Sequence, residues 1–320
     1  MNEVQPLHEL KARIQDVIVG QEETIDRLII ALLSGGHVLL EGPPGLAKTT
    51  LIQTLATLLD ASFQRIQFTP DLMPADLTGS EIFESSNERF RFIAGPVFHE
   101  ILLADEINRA PPKVQSALLE AMAEHQVTVA GKTYELPKTF MVLATQNPLE
   151  QSGTYPLPEA QLDRFLFKIV LNYPSVDEEI EITRRALAYS DGLNKPNPSA
   201  VMTPQQIQTL GAQLANQYID PRLERFAVEL VNATRHLDQI LPKWGGYVSA
   251  GASPRGSIAL LRAASARALL DGRDHIVPED IHALAVDVLR HRIVLSYAAN
   301  VDGITDEIII KQLLETLPSV

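Results

Sequence analysis

Residues Gly42-Pro43-Pro44-Gly45-Leu46-Ala47-Lys48-Thr49 set small and ring-constrained residues ahead of a lysine and a hydroxyl, between an apolar run ending at Glu41 and a helical pattern that opens at Thr50. That is the setting a phosphate-binding loop requires. Small residues let the backbone wrap so that successive N–H groups and the helix N-terminus point at a phosphate, Lys48 reaches the β- and γ-oxygens, and Thr49 offers its hydroxyl to Mg²⁺. Ala47 stands where the motif normally carries its second glycine; if that position needs a positive φ, an alanine there is mildly strained.

Ile101-Leu102-Leu103-Ala104-Asp105-Glu106 reads as a buried strand ending in two adjacent acids, which sets both at the carboxyl edge of a sheet, where ligands bind in open α/β folds. Beside a phosphate loop, Asp105 is expected to hold Mg²⁺ through its water shell, and Glu106 to orient and polarise an attacking water. A third strand-like run, Phe140 to Thr145, leads into Gln146-Asn147. If it lies beside the others, Asn147 reaches the lytic water or the γ-phosphate. Asn147 before Pro148 equally suits the start of an ordinary turn, and the residues alone leave both readings open.

The elements that must position these groups are legible as an alternation. Short apolar runs at His37 to Leu40, Phe63 to Phe68, Ile101 to Ala104, Phe140 to Thr145 and Phe167 to Leu171 are separated by segments with helical spacing, as in a parallel sheet with crossover helices. Lys48 to Leu59 and Lys113 to Glu124 read as helices, with Pro111-Pro112 suited to the first turn of the second. Phe83 to Phe92 and Gln126 to Leu136 read as hairpins inserted between core elements. We expect an α/β nucleotide-binding domain over 1–190 with a five-stranded parallel sheet between helices, a Pro/Asn/Ser-rich linker over 191–204, and an all-helical lid domain over 205–320. The lid helices are expected at Pro204 to Tyr218, Pro221 to Leu237, Ser257 to Leu270, Pro278 to His291 and Asp306 to Leu317.

Composition bounds the function. The 320 residues are 45% hydrophobic and 21% charged, which fits a globular chain and excludes collagen-like or disordered classes. Lys plus Arg is 27 against 40 Asp plus Glu, a net charge of −13, the wrong sign for a chain held to nucleic acid by many phosphate contacts. The chain has no cysteine, which removes disulfides, thiolate metal sites and cysteine nucleophiles and leaves the reducing cytoplasm as the expected location. No secretory signal is read at the start, and the longest greasy stretch, Leu28 to Leu40, is broken by Ser34-Gly35-Gly36-His37, so no membrane span is expected.

The three elements in this order resemble the AAA+ ATPases, and more closely the MoxR family. The resemblance is carried by Asp105-Glu106-Ile107-Asn108-Arg109-Ala110-Pro111-Pro112, Ala144-Thr145-Gln146-Asn147-Pro148 and Leu157-Pro158-Glu159-Ala160-Gln161-Leu162-Asp163-Arg164-Phe165, and Ala47 is itself similar to that family's loop. It implies ATP and Mg²⁺ as ligands. Val19, in Ile18-Val19-Gly20-Gln21, matches the segment that packs on adenine. Arg164 matches an arginine finger offered to the neighbouring subunit's γ-phosphate, and Arg255, in Ala252-Ser253-Pro254-Arg255-Gly256, matches a lid arginine that approaches the nucleotide from its own or the adjacent subunit. The resemblance further implies a self-assembled ring, with a hexamer as the family's usual form. It also implies a chaperone-like role in maturing target complexes, commonly with a von Willebrand factor A partner. From their position beside the catalytic strands, the two hairpins are expected to be the moving parts, at the pore or on the ring face.

Two rival readings share the loop. A nucleic-acid motor predicts cationic hairpin tips, whereas Ser85-Ser86-Asn87-Glu88-Arg89 and Ala130-Gly131-Lys132 offer few cations. A nucleotide-gated binding module that barely hydrolyses ATP has no use for Glu106.

Overall fold

A computed structural model describes residues 4–84, 89–147, 153–189 and 199–318. Its strands, in chain order, are β1 (Val38–Glu41), β2 (Phe63–Gln67), β3 (Gly79–Glu84), β4 (Arg89–Ala94), β5 (Ile101–Asp105), β6 (Gln126–Val129), β7 (Lys132–Glu135), β8 (Met141–Gln146) and β9 (Phe167–Val170). Five of them form the expected parallel sheet, in the order β2-β5-β8-β1-β9. The inner strands read as continuous apolar runs because both of their faces are covered: Val38 to Leu40, Leu102 to Ala104 and Val142 to Ala144 are fully buried. β2 lies at the edge, so Phe63-Gln64-Arg65-Ile66-Gln67 carries three polar residues, all of them exposed.

The register brings the chemistry to one edge. Glu41 pairs with Gln146, and Gln67 with Asp105, so the C-terminal ends of four neighbouring strands finish at the same level. Helices α1 (Gln5–Val17) and α2 (Glu22–Leu33) precede β1, and α3 (Lys48–Leu58) follows it and leads the chain to β2 at the opposite edge. The chain thus leaves β1 at a point where strands lie on either side of it, the arrangement that opens a ligand crevice beyond the strand ends. Helix Pro112–Glu124 starts with Pro112 at its first position, where a missing N–H is harmless.

Both hairpins are present, and the first is longer than Phe83 to Phe92: β3 and β4 pair from Gly79 with Ala94 to Glu84 with Arg89. The extra length escaped the apolar pattern because the added residues include Ser80, Glu81 and an exposed Ile93. Its expected tip, Ser85 to Glu88, lies outside the described residues, as does most of the expected linker. In the second hairpin Ala130 and Gly131 both take positive φ, which a tight two-residue turn demands. The hairpins are not separate bodies. Phe92 stacks on Tyr134 with ring centroids 4.1 Å apart, and Lys132 Nζ lies 3.1 Å from Glu81 Oε1.

The chain divides into two compact units, Met1–Leu157 with Ile169–Thr209, and Pro158–Lys168 with Leu210–Val320. The second is built on helices Pro221–Ala233, Pro254–Leu270, Pro278–Leu289 and Asp306–Thr316. Among its described residues it also carries a short antiparallel pair, Val248–Ala250 with Val294–Leu295, too brief to show an alternating pattern in sequence, and an isolated bridge between Tyr218 and His275. Helix Pro254–Leu270 begins three residues earlier than the apolar spacing marks, because Ser253 caps it by accepting the Arg255 N–H and Pro254 fills its first position. No helix among the described residues is long and apolar enough to cross a membrane.

Candidate active site

The loop after β1 is shaped by two unlike constraints. Gly42 is buried, and a Cβ there would lie 2.9 Å from both the Cβ and the carbonyl oxygen of Leu171, so the close approach of the chain after β9 excludes any larger residue. Gly45 instead turns at φ +88° with nothing near its α-carbon, and here conformation rather than space requires glycine. Pro43 is half-buried, Pro44 exposed, and Leu46 tucks into the core. Ala47 has φ +52°, so the left-handed position anticipated for the missing glycine is real. It is the N-cap of α3, which leaves the first N–H groups of Lys48, Thr49 and Thr50 free of intrahelical acceptors.

Lys48 Nζ donates to the Gly42 carbonyl at 2.9 Å, closing the loop on its own cation. Partial burial lowers the Lys48 ammonium below its ordinary value, and the negative charges of Asp105 and Glu106 oppose that shift. The lysine and both acids therefore share one electrostatic neighbourhood, as the sequence spacing anticipates.

Each acid is held by groups to which the sequence reading assigns no role. Thr145, buried on β8, donates its hydroxyl to Asp105 Oδ1 at 2.6 Å and accepts the Glu106 N–H at 2.8 Å. Arg65 on β2 reaches Asp105 Oδ2 through Nη2 at 2.6 Å and Nε at 3.1 Å. Gln67 Nε2 donates to Glu106 Oε2 at 2.7 Å, and Arg109 Nε lies 3.1 Å from the same oxygen. Glu106 itself has φ +56°, an unusual conformation for a glutamate that turns the chain sharply off β5. Asn147 follows β8 directly and is half-buried at the same strand edge.

Beside the loop lies a cavity of about 930 Å³, lined by residues that include Val19, Gln21, Leu46, Thr50, Pro174 and Ile182. That volume is in the range of small-molecule and cofactor sites. Gln21 spans the two walls: its Nε2 donates to the Leu46 carbonyl at 3.2 Å, and its Oε1 is buried without a hydrogen-bond partner. An apolar slot at Val19, an orphan acceptor and a loop of N–H donors together fit a nucleotide. For Mg²⁺ the available donors are hard oxygens, the Thr49 hydroxyl and the Asp105 carboxylate. No group of three His, Cys, Asp or Glu side chains that could hold a metal occurs among the described residues.

Arg164 and Arg255 both belong to the second unit, where Asp163 gathers their surroundings. Arg255 Nη1 lies 4.0 Å from Asp163 Oδ2 and its side chain is 64% exposed. Arg164 is half-buried. Asp163 is held instead by Arg292, whose Nε lies 2.8 Å from Oδ1, and by Ser253, whose hydroxyl donates to Oδ2 at 2.9 Å. A residue 129 positions away leaves no local signal in sequence.

The profile of the ATPase family associated with various cellular activities (AAA) matches residues 37–167, and that of the AAA lid domain matches residues 246–313. Chaperone MoxR1 of Mycobacterium tuberculosis is 46% identical over 316 residues, covering 98% of this chain and 82% of that protein. The chain belongs to the MoxR family of AAA+ ATPases. Protein MoxR of Methylorubrum extorquens is 34% identical over 325 residues, covering 96% of this chain and 93% of its own length. A crystal structure of a Cytophaga hutchinsonii protein superposes with a TM-score of 0.92 at 44% identity, covering 99% of this chain and 96% of that one. The MoxR fold, a P-loop α/β core followed by a helical lid, is thus the architecture that the strand order and the two units describe.

Proposed function

We propose that this MoxR-family chain hydrolyses ATP with Mg²⁺ and couples the reaction to chaperone-like remodelling or maturation of partner protein complexes. The observation that carries the reading is the convergence of Lys48, Asp105 and Glu106 at one strand edge beside a nucleotide-sized cavity. The loop N–H groups and Lys48 bind the β- and γ-phosphates, Thr49 and Asp105 hold the metal, and Val19 packs on the base. Mg²⁺, when bound, neutralises charge on the transferring phosphoryl group. Glu106 orients and polarises the attacking water, its carboxylate aimed by Gln67 and Arg109. Asn147, at the end of the adjacent strand, contacts the water or the γ-phosphate.

Arg164 acts as an arginine finger on the neighbouring subunit's nucleotide, and Arg255 as the lid arginine. A finger supplied in trans contributes ~10³ to 10⁵ in rate, which makes assembly the switch. Identical subunits that each serve the next form head-to-tail contacts, and such contacts close into rings or wind into helices; we take a hexameric ring as the working form. The name of the Mycobacterium tuberculosis relative supports the chaperone role, and a von Willebrand factor A protein is the partner we expect. The test is turnover per subunit against protein concentration, read beside sedimentation. Turnover should rise steeply where the ring forms, and a rate independent of assembly would contradict the reading. Pull-down with a Glu106→Gln variant in ATP then identifies the client, and strong stimulation of turnover by DNA would favour a nucleic-acid motor instead.

A further inference from the structure

The segment that carries Arg164 is held chiefly by Arg292, from far along the chain, with the neighbouring His291 Nε2 lying 3.0 Å from the Phe165 carbonyl. Arg292 is 3% exposed and directs its guanidinium into the turn at 163–166. Its Nε donates to Asp163 Oδ1 at 2.8 Å, Nη2 donates to the Phe165 carbonyl at 2.7 Å and the Asp163 carbonyl at 3.2 Å, and Nη1 donates to the Leu166 carbonyl at 3.3 Å and to the Val288 carbonyl. The residues on both sides of Arg164 are therefore gripped by one planar group. Asp163 extends the grip: its Oδ2 accepts the Ser253 hydroxyl at 2.9 Å, and Ser253 Oγ in turn accepts the Arg255 N–H at 3.2 Å as the cap of helix Pro254–Leu270.

We propose that Arg292 is a positioning residue for ATP hydrolysis, fixing the backbone on either side of Arg164, and that Asp163 joins that turn to the Ser253 cap so that Arg164 and Arg255 are presented as one unit. The proposal rests on the reading of Arg164 as the finger. Its physical basis is the geometry of the fork. A guanidinium has five N–H donors in fixed directions and satisfies several carbonyls and a carboxylate at once, whereas an ammonium carries the same charge without that spread. Charge neutralisation in a phosphoryl-transfer site depends on placement, and a misplacement of about 1 Å costs ~10²-fold. A finger on an untethered turn loses that placement even with its own side chain intact.

The experiment compares ATP turnover and ATP binding for Arg292→Lys, Asp163→Asn and Arg164→Ala, each alone and mixed with Glu106→Gln subunits. Those subunits bring an intact 163–166 turn but cannot activate water. Arg292→Lys should fold with a lowered melting midpoint, because carbonyls of the turn lose their donors, keep its ATP affinity and lose turnover about 10²-fold. Glu106→Gln subunits should restore part of the turnover to Arg292→Lys as they do to Arg164→Ala, because the defect lies in what a subunit offers its neighbour. The double variant Arg164→Ala/Arg292→Lys should be no slower than Arg164→Ala. Wild-type turnover in Arg292→Lys, a loss that adds in full to that of Arg164→Ala, or rescue of Arg164→Ala without rescue of Arg292→Lys would each overturn the proposal. If Arg164→Ala itself turns over normally, the finger reading falls, an outcome distinct from failure of the Arg292 step. Should Arg292→Lys not fold, Asp163→Asn, which keeps an acceptor for Ser253, decides by the same three readouts.

Discussion

Thr145 stands between the two acids of the site, its hydroxyl donating to Asp105 at 2.6 Å while accepting the Glu106 N–H at 2.8 Å. One buried side chain on β8 thus sets the orientation of the carboxylate proposed for the metal and the backbone turn that aims the carboxylate proposed for the water. Thr145→Val keeps the shape and removes both hydrogen bonds, leaving the Glu106 N–H without that acceptor. The expected result is a stability loss of about 1–3 kcal/mol in urea unfolding and a fall in kcat with little change in ATP affinity. Thr145→Ser should recover most of both.

Ala47 adopts φ +52°, which costs an L-residue roughly 1–2 kcal/mol relative to the right-handed region. Ala47→Gly relieves that strain but gives the unfolded chain more freedom, so the net gain is smaller, about 0.5–1 kcal/mol. A rise in the thermal midpoint with unaltered ATP binding is the expected outcome.

His37 links the base of β1 to its surroundings. Its Nδ1 accepts the Val142 N–H at 3.0 Å, its Nε2 donates to the Met122 carbonyl at 3.3 Å, and its ring packs edge-on to Phe140. Burial, and to a lesser degree the nearby His125, lowers its pKa to about 4 from 6.5, against the Met122 hydrogen bond. Between those values the unfolded chain binds a proton that the folded one refuses. The contribution is complete above pH 6.5 and is lost as pH falls toward 4, at up to about 1.4 kcal/mol per pH unit. His291, also fully buried and lowered, acts in the same direction, so the test is a difference. Unfolding free energies of the wild type and His37→Gln at pH 7, 6 and 5 should show a slope shallower by up to that amount in the variant.

What could be read from the amino-acid order was what local order dictates. The phosphate loop, the acids closing β5 and the five apolar runs are contiguous patterns, and each is where the pattern puts it. Residues that act across the fold carry no such mark. Arg65 and Gln67 look like the polar half of an edge strand, and only the pairing of β2 with β5 brings them to Asp105 and Glu106. Thr145 reads as one more β-branched strand residue. Arg292 lies 129 positions from the carboxylate it grips, and nothing in the local order around Asp163 marks it. The hairpin β3–β4 was underestimated for the opposite reason: its strands are exposed in good part, so burial imposed no clean alternation on them.

The central claim is that a triphosphate gripped around Lys48 is cut with the help of Glu106. The most direct measurement is calorimetric titration of Mg·ATP into wild-type and Glu106→Gln protein, with phosphate release followed on the same samples. Affinity should be comparable in both, with turnover at least about 10²-fold lower in the variant, the scale on which a positioned base acts. Equal turnover in the two proteins, or no uptake of ATP by the wild type, would contradict that claim.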